Sequence, residues 1–148
     1  MLRLGSDRFS SGRSKFADHA PGRPDPTAKI YVRVRFGEHV ALAQLDTGAA
    51  WSVMAPDLAQ LLEVSTHGAD PARMVTSLGL KEGHLVKLPL IIPAEEGEEL
   101  SLTGTFFVSE DWPEGMTFLG YLGLLDSIRF ALDPQANDFY FGPASESW

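Results

Sequence analysis

The sequence predicts an all-β domain, barrel-like or sandwich-like, with one or two short helices. Three observations lead there. Apolar and polar residues alternate with a period of two in short runs, most plainly in "KIYVRVRF" (residues 29–36). Gly and Pro (14 and 10 of 148 residues) cut the chain into runs too short for long helices. Helical apolar patterns are read in two short places, after Pro56 (Leu58, Leu61, Leu62) and after Gly120 (Leu122, Leu124, Leu125, Ile128). Together they point to many short strands folded into one layered core.

The bulk composition excludes several function classes. The hydrophobic fraction is 44% and the charged fraction 22%, as in an ordinary globular domain. A formal charge of −8 repels phosphate backbones and anionic lipid, so neither a nucleic-acid nor a membrane partner is expected. With no cysteine, disulfides and thiolate zinc sites are impossible. The N-terminus lacks the apolar run of a secretory signal, which leaves a cytoplasmic location as the expectation. His19, His39, His67 and His84 never share helical i, i+4 spacing, and "EEGEE" (residues 95–99) lacks the alternation of a calcium loop. "GYLG" has no lysine at phosphate-loop spacing. No metal or cofactor is therefore expected.

In chain order, residues 1–28 are polar and rich in Gly, Pro and Ser, and read as a flexible arm. Within it, "SGRSKFADHA" (residues 11–20) is a candidate for cleavage by a neighbouring copy. The domain proper spans 29–142, and 143–148 is a C-terminal tail. Residues 29–36 and 40–45 form a hairpin about "GEH", with the second strand the more buried and Asp46 at its end. Residues 51–54 are a short strand. A helix follows from Pro56 to about Glu63: Pro suits its first turn, Asp57 its N-terminus, and Leu58, Leu61 and Leu62 share a face. Residues 68–72 are a loop. Residues 73–93 form a long hairpin around "LGLKEGH", with Gly79 and Gly83 as its flexible positions. An acidic turn (94–99) precedes a strand over 100–110 with a bulge at Gly104. After Gly120 come a helical turn or two, then β character in "IRFALD", a turn at "PQAND", and a closing strand over 139–142. Trp112 and Trp148 read as packing or exposed aromatics.

"AQLDTGAAWSVM" (residues 43–54) is the most informative stretch. Asp and Gly suit a surface turn, but a surface turn usually has polar flanks. Here Leu42 and Leu45 precede, and Ala49, Ala50, Trp51 and Val53 follow. A carboxylate among apolar strands costs free energy unless donors hold it or it is protonated. Thr47 offers a hydroxyl, and Gly48 can bring its backbone N–H close. That is the equipment of a catalytic carboxylate. Asp126 and Asp133 lack a following Gly and are weaker choices for a partner carboxylate.

These residues resemble the active-site loop of the retropepsin-like aspartic peptidases, where Asp-Thr/Ser-Gly is followed by Ala, then Ser or Thr and an apolar residue. Gly48-Ala49 and Ser52-Val53 stand in those places. The family's downstream apolar-apolar-Gly motif is matched by Phe118, Leu119 and Gly120, and its flap by a hairpin within residues 75–88. The resemblance covers residues 29–142 and is greatest to small bacterial single-domain members. It implies a small closed β-barrel of the acid-protease type, with Asp46 catalytic and Thr47, Gly48 and Ala49 supporting the loop. It also implies that Phe118, Leu119 and Gly120 pack beneath that loop, and it offers Leu78, Gly79, Leu80 and Gly83 as flap residues. With one Asp-Thr-Gly per chain, the family mechanism implies a homodimer acting as an aspartic endopeptidase on an extended peptide or protein substrate. Two features depart from viral members: Tyr121 replaces the usual Arg after the Gly, and Ala50 and Trp51 stand where acidic residues are common. A module that keeps the fold without the activity is the alternative.

Overall fold

The structure is a computed structural model that describes residues 1–19 and 29–145. Its strands are β1 (Arg3–Leu4), β2 (Asp7–Arg8), β3 (Gly12–Lys15), β4 (Tyr31–Phe36), β5 (His39–Leu45), β6 (Ser52–Met54), β7 (Asp70–Thr76), β8 (Gly79–Ile92), β9 (Glu96–Gly97), β10 (Leu100–Val108), β11 (Phe118–Leu119), β12 (Ile128–Asp133) and β13 (Asp138–Pro143). A helix α1 (Pro56–Leu61) follows β6, and a single 3₁₀ turn (Leu125–Ser127) precedes β12.

Six strands form a ring of hydrogen-bonded neighbours in the order β10-β6-β11-β5-β4-β8, which returns to β10 through the β10–β8 ladder. Strand β7 pairs with β8 and extends the ring as a hairpin. A second, four-stranded antiparallel sheet runs β12-β13-β3-β9. The alternation in "YVRVRF" does what period two requires: Val32, Val34 and Phe36 are buried while Arg33 projects outward. Phe106 is fully buried and meets Phe36 edge to face at 5.6 Å. Burying a side chain of this size contributes about 2–3 kcal/mol, so this pair helps hold β4 and β10 together across the interior of the ring.

Several sequence expectations change. Residues 1–28 were expected to be a flexible arm, yet Gly12–Lys15 is a strand inserted between β13 and β9, and Phe16 is buried in the main core. Gly12 is required there: a Cβ would stand 2.3 Å from the carbonyl oxygen of Glu98 and 2.6 Å from the Phe141 ring. Arg13 and Lys15 both reach Asp138 at 2.8 Å. Most of the segment proposed for self-cleavage is thus hydrogen-bonded in a sheet, where no peptidase could reach it without local unfolding. The rest of the expected arm, residues 20–28, lies outside the described residues, as do 146–148 of the expected tail. The tail also starts later, because Pro143 still belongs to β13.

Strand β5 is less buried than expected: Val40 and Leu42 are exposed, and only Ala43 is fully buried. The expected loop at 68–72 already contains the start of β7. Gly104 is no bulge, for the β10–β8 register runs unbroken through Gly104↔Leu88. Its lack of a side chain makes room for Phe106, Leu124 and Leu90, all about 3 Å from where a Cβ would stand. The acidic turn contributes the short strand β9, which pairs with β3.

Candidate active site

Strand β11 lies between the two strands that flank Asp46. It pairs in parallel with β5 (Phe118↔Gln44, Leu119↔Leu45) and antiparallel with β6 (Phe118↔Val53). The loop from Asp46 to Trp51 therefore passes over the end of β11. Backbone bonds fasten it there: Asp46 N–H donates to the Leu119 carbonyl (3.0 Å), Tyr121 N–H to Ala49 (2.9 Å) and Leu122 N–H to Ala50 (2.8 Å). Gly120 N–H donates to the buried Ser52 hydroxyl at 2.9 Å. A Cβ on Gly120 would stand 2.4 Å from the Trp51 carbonyl carbon, so only glycine fits beneath the loop. Phe118 and Leu119 thus lie between β5 and β6, Leu119 bonded to Asp46, and Gly120 packs against the Trp51–Ser52 backbone at the far end of the loop.

Asp46 itself is half-buried, with Thr47 and Gly48 exposed and Ala49 half-buried. The Gly48 N–H donates to Asp46 Oδ1 at 3.0 Å, and Ala49 N–H donates to the Asp46 carbonyl at 3.2 Å. The first bond fixes the direction of the carboxylate; the second tightens the turn. The expectation of a carboxylate enclosed by apolar strands gives way to one at the floor of an open cleft.

That cleft has a volume of about 670 Å³. Its apolar wall is built by Val53, Met74, Trp112, Met116 and Phe118. Trp112 is held by its ring N–H, which donates to the Met116 carbonyl at 2.8 Å, and stacks edge to face on Phe118 at 5.7 Å. Lys29, Tyr31 and Gln44 also line it, with Tyr31, Gln44, Phe118 and Val53 in one row across β4, β5, β11 and β6. The tip of the β7–β8 hairpin hangs beside the cleft, through Arg73 to Ser77.

The hairpin closes with a two-residue turn, Ser77-Leu78, between the paired Thr76 and Gly79. Thr76 Oγ1 accepts from Leu78 N–H (3.1 Å) and donates to the Gly79 carbonyl (3.0 Å), while Gly79 takes φ +100°. Leu78 and Leu80 are exposed at the tip, and Val75, opposite Leu80, is 86% exposed. Gly83 is not at the tip. It lies at the hairpin root opposite Ala72, where a Cβ would stand 2.3 Å from the Val108 carbonyl oxygen.

Sequence reasoning missed the apolar wall and Lys29. The turn "WPEGM" placed a Trp and a Met on either side of a Pro-Glu-Gly bend, and that was the available signal for the wall. A separate cleft of about 1370 Å³ lies between α1, the hairpin root and the end of β10, away from Asp46. Among the described residues no group of three or more His, Cys, Asp or Glu could hold a metal ion, and no helix is long and apolar enough to cross a membrane.

A solved retropepsin-like aspartic protease from Rickettsia conorii superposes on this chain with a TM-score of 0.56, over 88% of this chain and 89% of the other. This chain has a retropepsin-like fold. The two sequences are 17% identical, so the likeness concerns the fold alone. No protein-family model matches the chain, and no curated protein matches it by sequence.

Proposed function

We propose that this protein is an aspartic endopeptidase whose reactive group is a pair of Asp46 carboxylates, one from each subunit of a homodimer. The observation that carries the reading is the Asp46 carboxylate itself, held by the Gly48 N–H at the floor of a cleft beside a hairpin. A binding module of the same shape would not need that carboxylate. The retropepsin-like fold supports the same reading.

One carboxylate cannot hydrolyse a peptide by this route. Two, brought a few ångströms apart, share a proton because like charges so close cannot both ionise. The ionised member accepts a proton from a water while the protonated member donates to the scissile carbonyl oxygen. The hairpins close over an extended peptide and exclude bulk water. The pair titrates as a unit, and activity needs one proton on it, so cleavage falls on both sides of an acid to mildly acid optimum.

The deciding experiment is incubation with a mixed peptide library, with and without a transition-state inhibitor of aspartic peptidases. Cleavage that the inhibitor stops, and that Asp46→Asn abolishes while the melting curve stays put, is expected. Undiminished cleavage by the Asn variant would refute the mechanism, and a sedimentation profile of a monomer that still cuts would refute the dimer.

A further inference from the structure

The lining of the Asp46 cleft changes from apolar at Phe118 and Val53 to polar at Gln44, Tyr31 and Lys29, and on the peptidase reading that difference selects a substrate. Strands β4 and β5 pair down to Tyr31↔Gln44, and the Leu45 N–H then donates to the Ile30 carbonyl at 2.8 Å. One step further along the same register, Lys29 stands opposite Asp46. Residues opposite one another on antiparallel strands project to the same face. Both residues line the cleft accordingly. The Lys29 backbone is held by its N–H, which donates to the Asp18 carbonyl at 2.8 Å.

The charge balance here runs against that of the whole molecule. The chain carries 20 acidic and 12 basic residues, yet the charged residues lining this cleft are Lys29, Arg73 and Asp46. Arg73 is already engaged by Glu82 at 3.2 Å. Lys29 takes part in no ion pair among the described residues. Among the described residues nothing neutralises its ammonium, and Tyr31 and Gln44 line the cleft with it. An extended peptide presents successive side chains to alternate sides, so a peptide lying over Asp46 can offer one to the apolar wall and another to Lys29.

We infer that Lys29 is a specificity-determining residue that selects peptides with Asp or Glu close to the scissile bond. A flanking apolar side chain enters the wall formed by Trp112, Met116 and Phe118. The preference is modest, because a half-exposed lysine stays partly hydrated. A pair of that kind corresponds to roughly five-fold in selectivity.

The test uses peptide pairs identical except for Glu or Gln, scanned through the positions on both sides of the cut. For the wild type, kcat/KM is about five-fold higher with Glu at one position, and the gain lies in KM. Lys29→Met abolishes the ratio and Lys29→Glu reverses it. An unchanged ratio in Lys29→Met overturns the inference, and so does an equal loss for both peptides, which would mark a purely structural role. Because the inference rests on the peptidase reading, the same pairs are also measured for binding to Asp46→Asn by fluorescence anisotropy. The Glu peptide binds that variant more tightly, and the difference vanishes at about 0.5 M salt or with added Lys29→Met. Selective binding without any wild-type cleavage would sink the peptidase and leave the Lys29 site standing. Cleavage without selectivity would do the reverse, and no binding of either peptide would overturn both.

Discussion

Replacing Gly120 by Ala puts the packing beneath the active-site loop to a direct test. The new Cβ would stand 2.4 Å from the Trp51 carbonyl carbon and oxygen and 2.8 Å from the Ser52 nitrogen. Carbon contacts settle near about 3.5 Å, so roughly 1 Å must be found. None of these atoms can rotate away, because all belong to the backbone. The loop must lift, which strains the Gly120–Ser52 bond and the two bonds from Tyr121 and Leu122 to Ala49 and Ala50. Overpacking costs about 1–3 kcal/mol, and a weakened buried hydrogen bond adds about 1 kcal/mol. At about 2–4 °C per kcal/mol for a domain of this size, the melting temperature should fall by roughly 4–16 °C. Thermal unfolding followed by circular dichroism reads this directly. Gly48→Ala is the control: its Cβ would meet nothing nearer than Asp46 Oδ1 at 3.4 Å, so a shift within about 2 °C is expected. A Gly120→Ala melt that overlays the wild type would refute the close-packing argument, as would the control being the less stable of the two.

Two further outcomes follow from charged groups. Hydrogen bonds from Lys15, with Arg13 second, hold the Asp138 carboxyl below its ordinary value of 3.8 against the opposing effect of burial. A carboxyl lowered in the folded state stabilises above its unfolded value, and that contribution is lost as pH falls through the folded one. Asp138→Asn should therefore melt below the wild type at neutral pH, with the gap closing below pH 3.8; a gap independent of pH would contradict the clamp. On the dimer reading, Tyr121→Asp places a charge on an exposed face next to the Asp46 loop. It should shift sedimentation toward monomer and abolish cleavage together; loss of cleavage by an intact dimer would separate the two.

The elements that were legible in the sequence are those whose inward face is apolar. Val32, Val34 and Phe36 announce β4, and the Asp-Thr-Gly between apolar neighbours announces the loop above β11. Strand β3 has the same period of two, but its inward residues are Gly12 and Ser14, which carry no hydropathy signal. It is recruited by fit and charge: Gly12 against the Phe141 ring, Arg13 and Lys15 on Asp138. Such contacts join residues more than a hundred positions apart, so no local pattern reveals them. Glycines misled for a related reason. A glycine in sequence can mean a positive φ or a close approach of backbones, and only the tertiary neighbour tells which. Gly79 is the first kind, at the hairpin turn; Gly83 and Gly104 are the second, pressed against β10 and the core.

The same distinction between local pattern and tertiary neighbour bears on what surrounds Asp46. Sequence alone suggested burial, because Leu42 and the residues after Ala49 are apolar. In the folded chain that apolar surface remains partly open: Tyr121 is 52% exposed and Leu122 40%, and both are fastened by backbone bonds to the loop they flank. Rigid apolar side chains held at a surface next to a carboxylate lose free energy to water that contact with another surface would recover. On the homodimer reading a second copy supplies that surface and a second Asp46 in one step. Burial of apolar area would then drive the approach of two groups whose charges oppose it, with the shared proton relieving the opposition. Association and proton uptake are coupled in that scheme, so the dimer should tighten as pH falls toward the acid range in which the pair holds one proton.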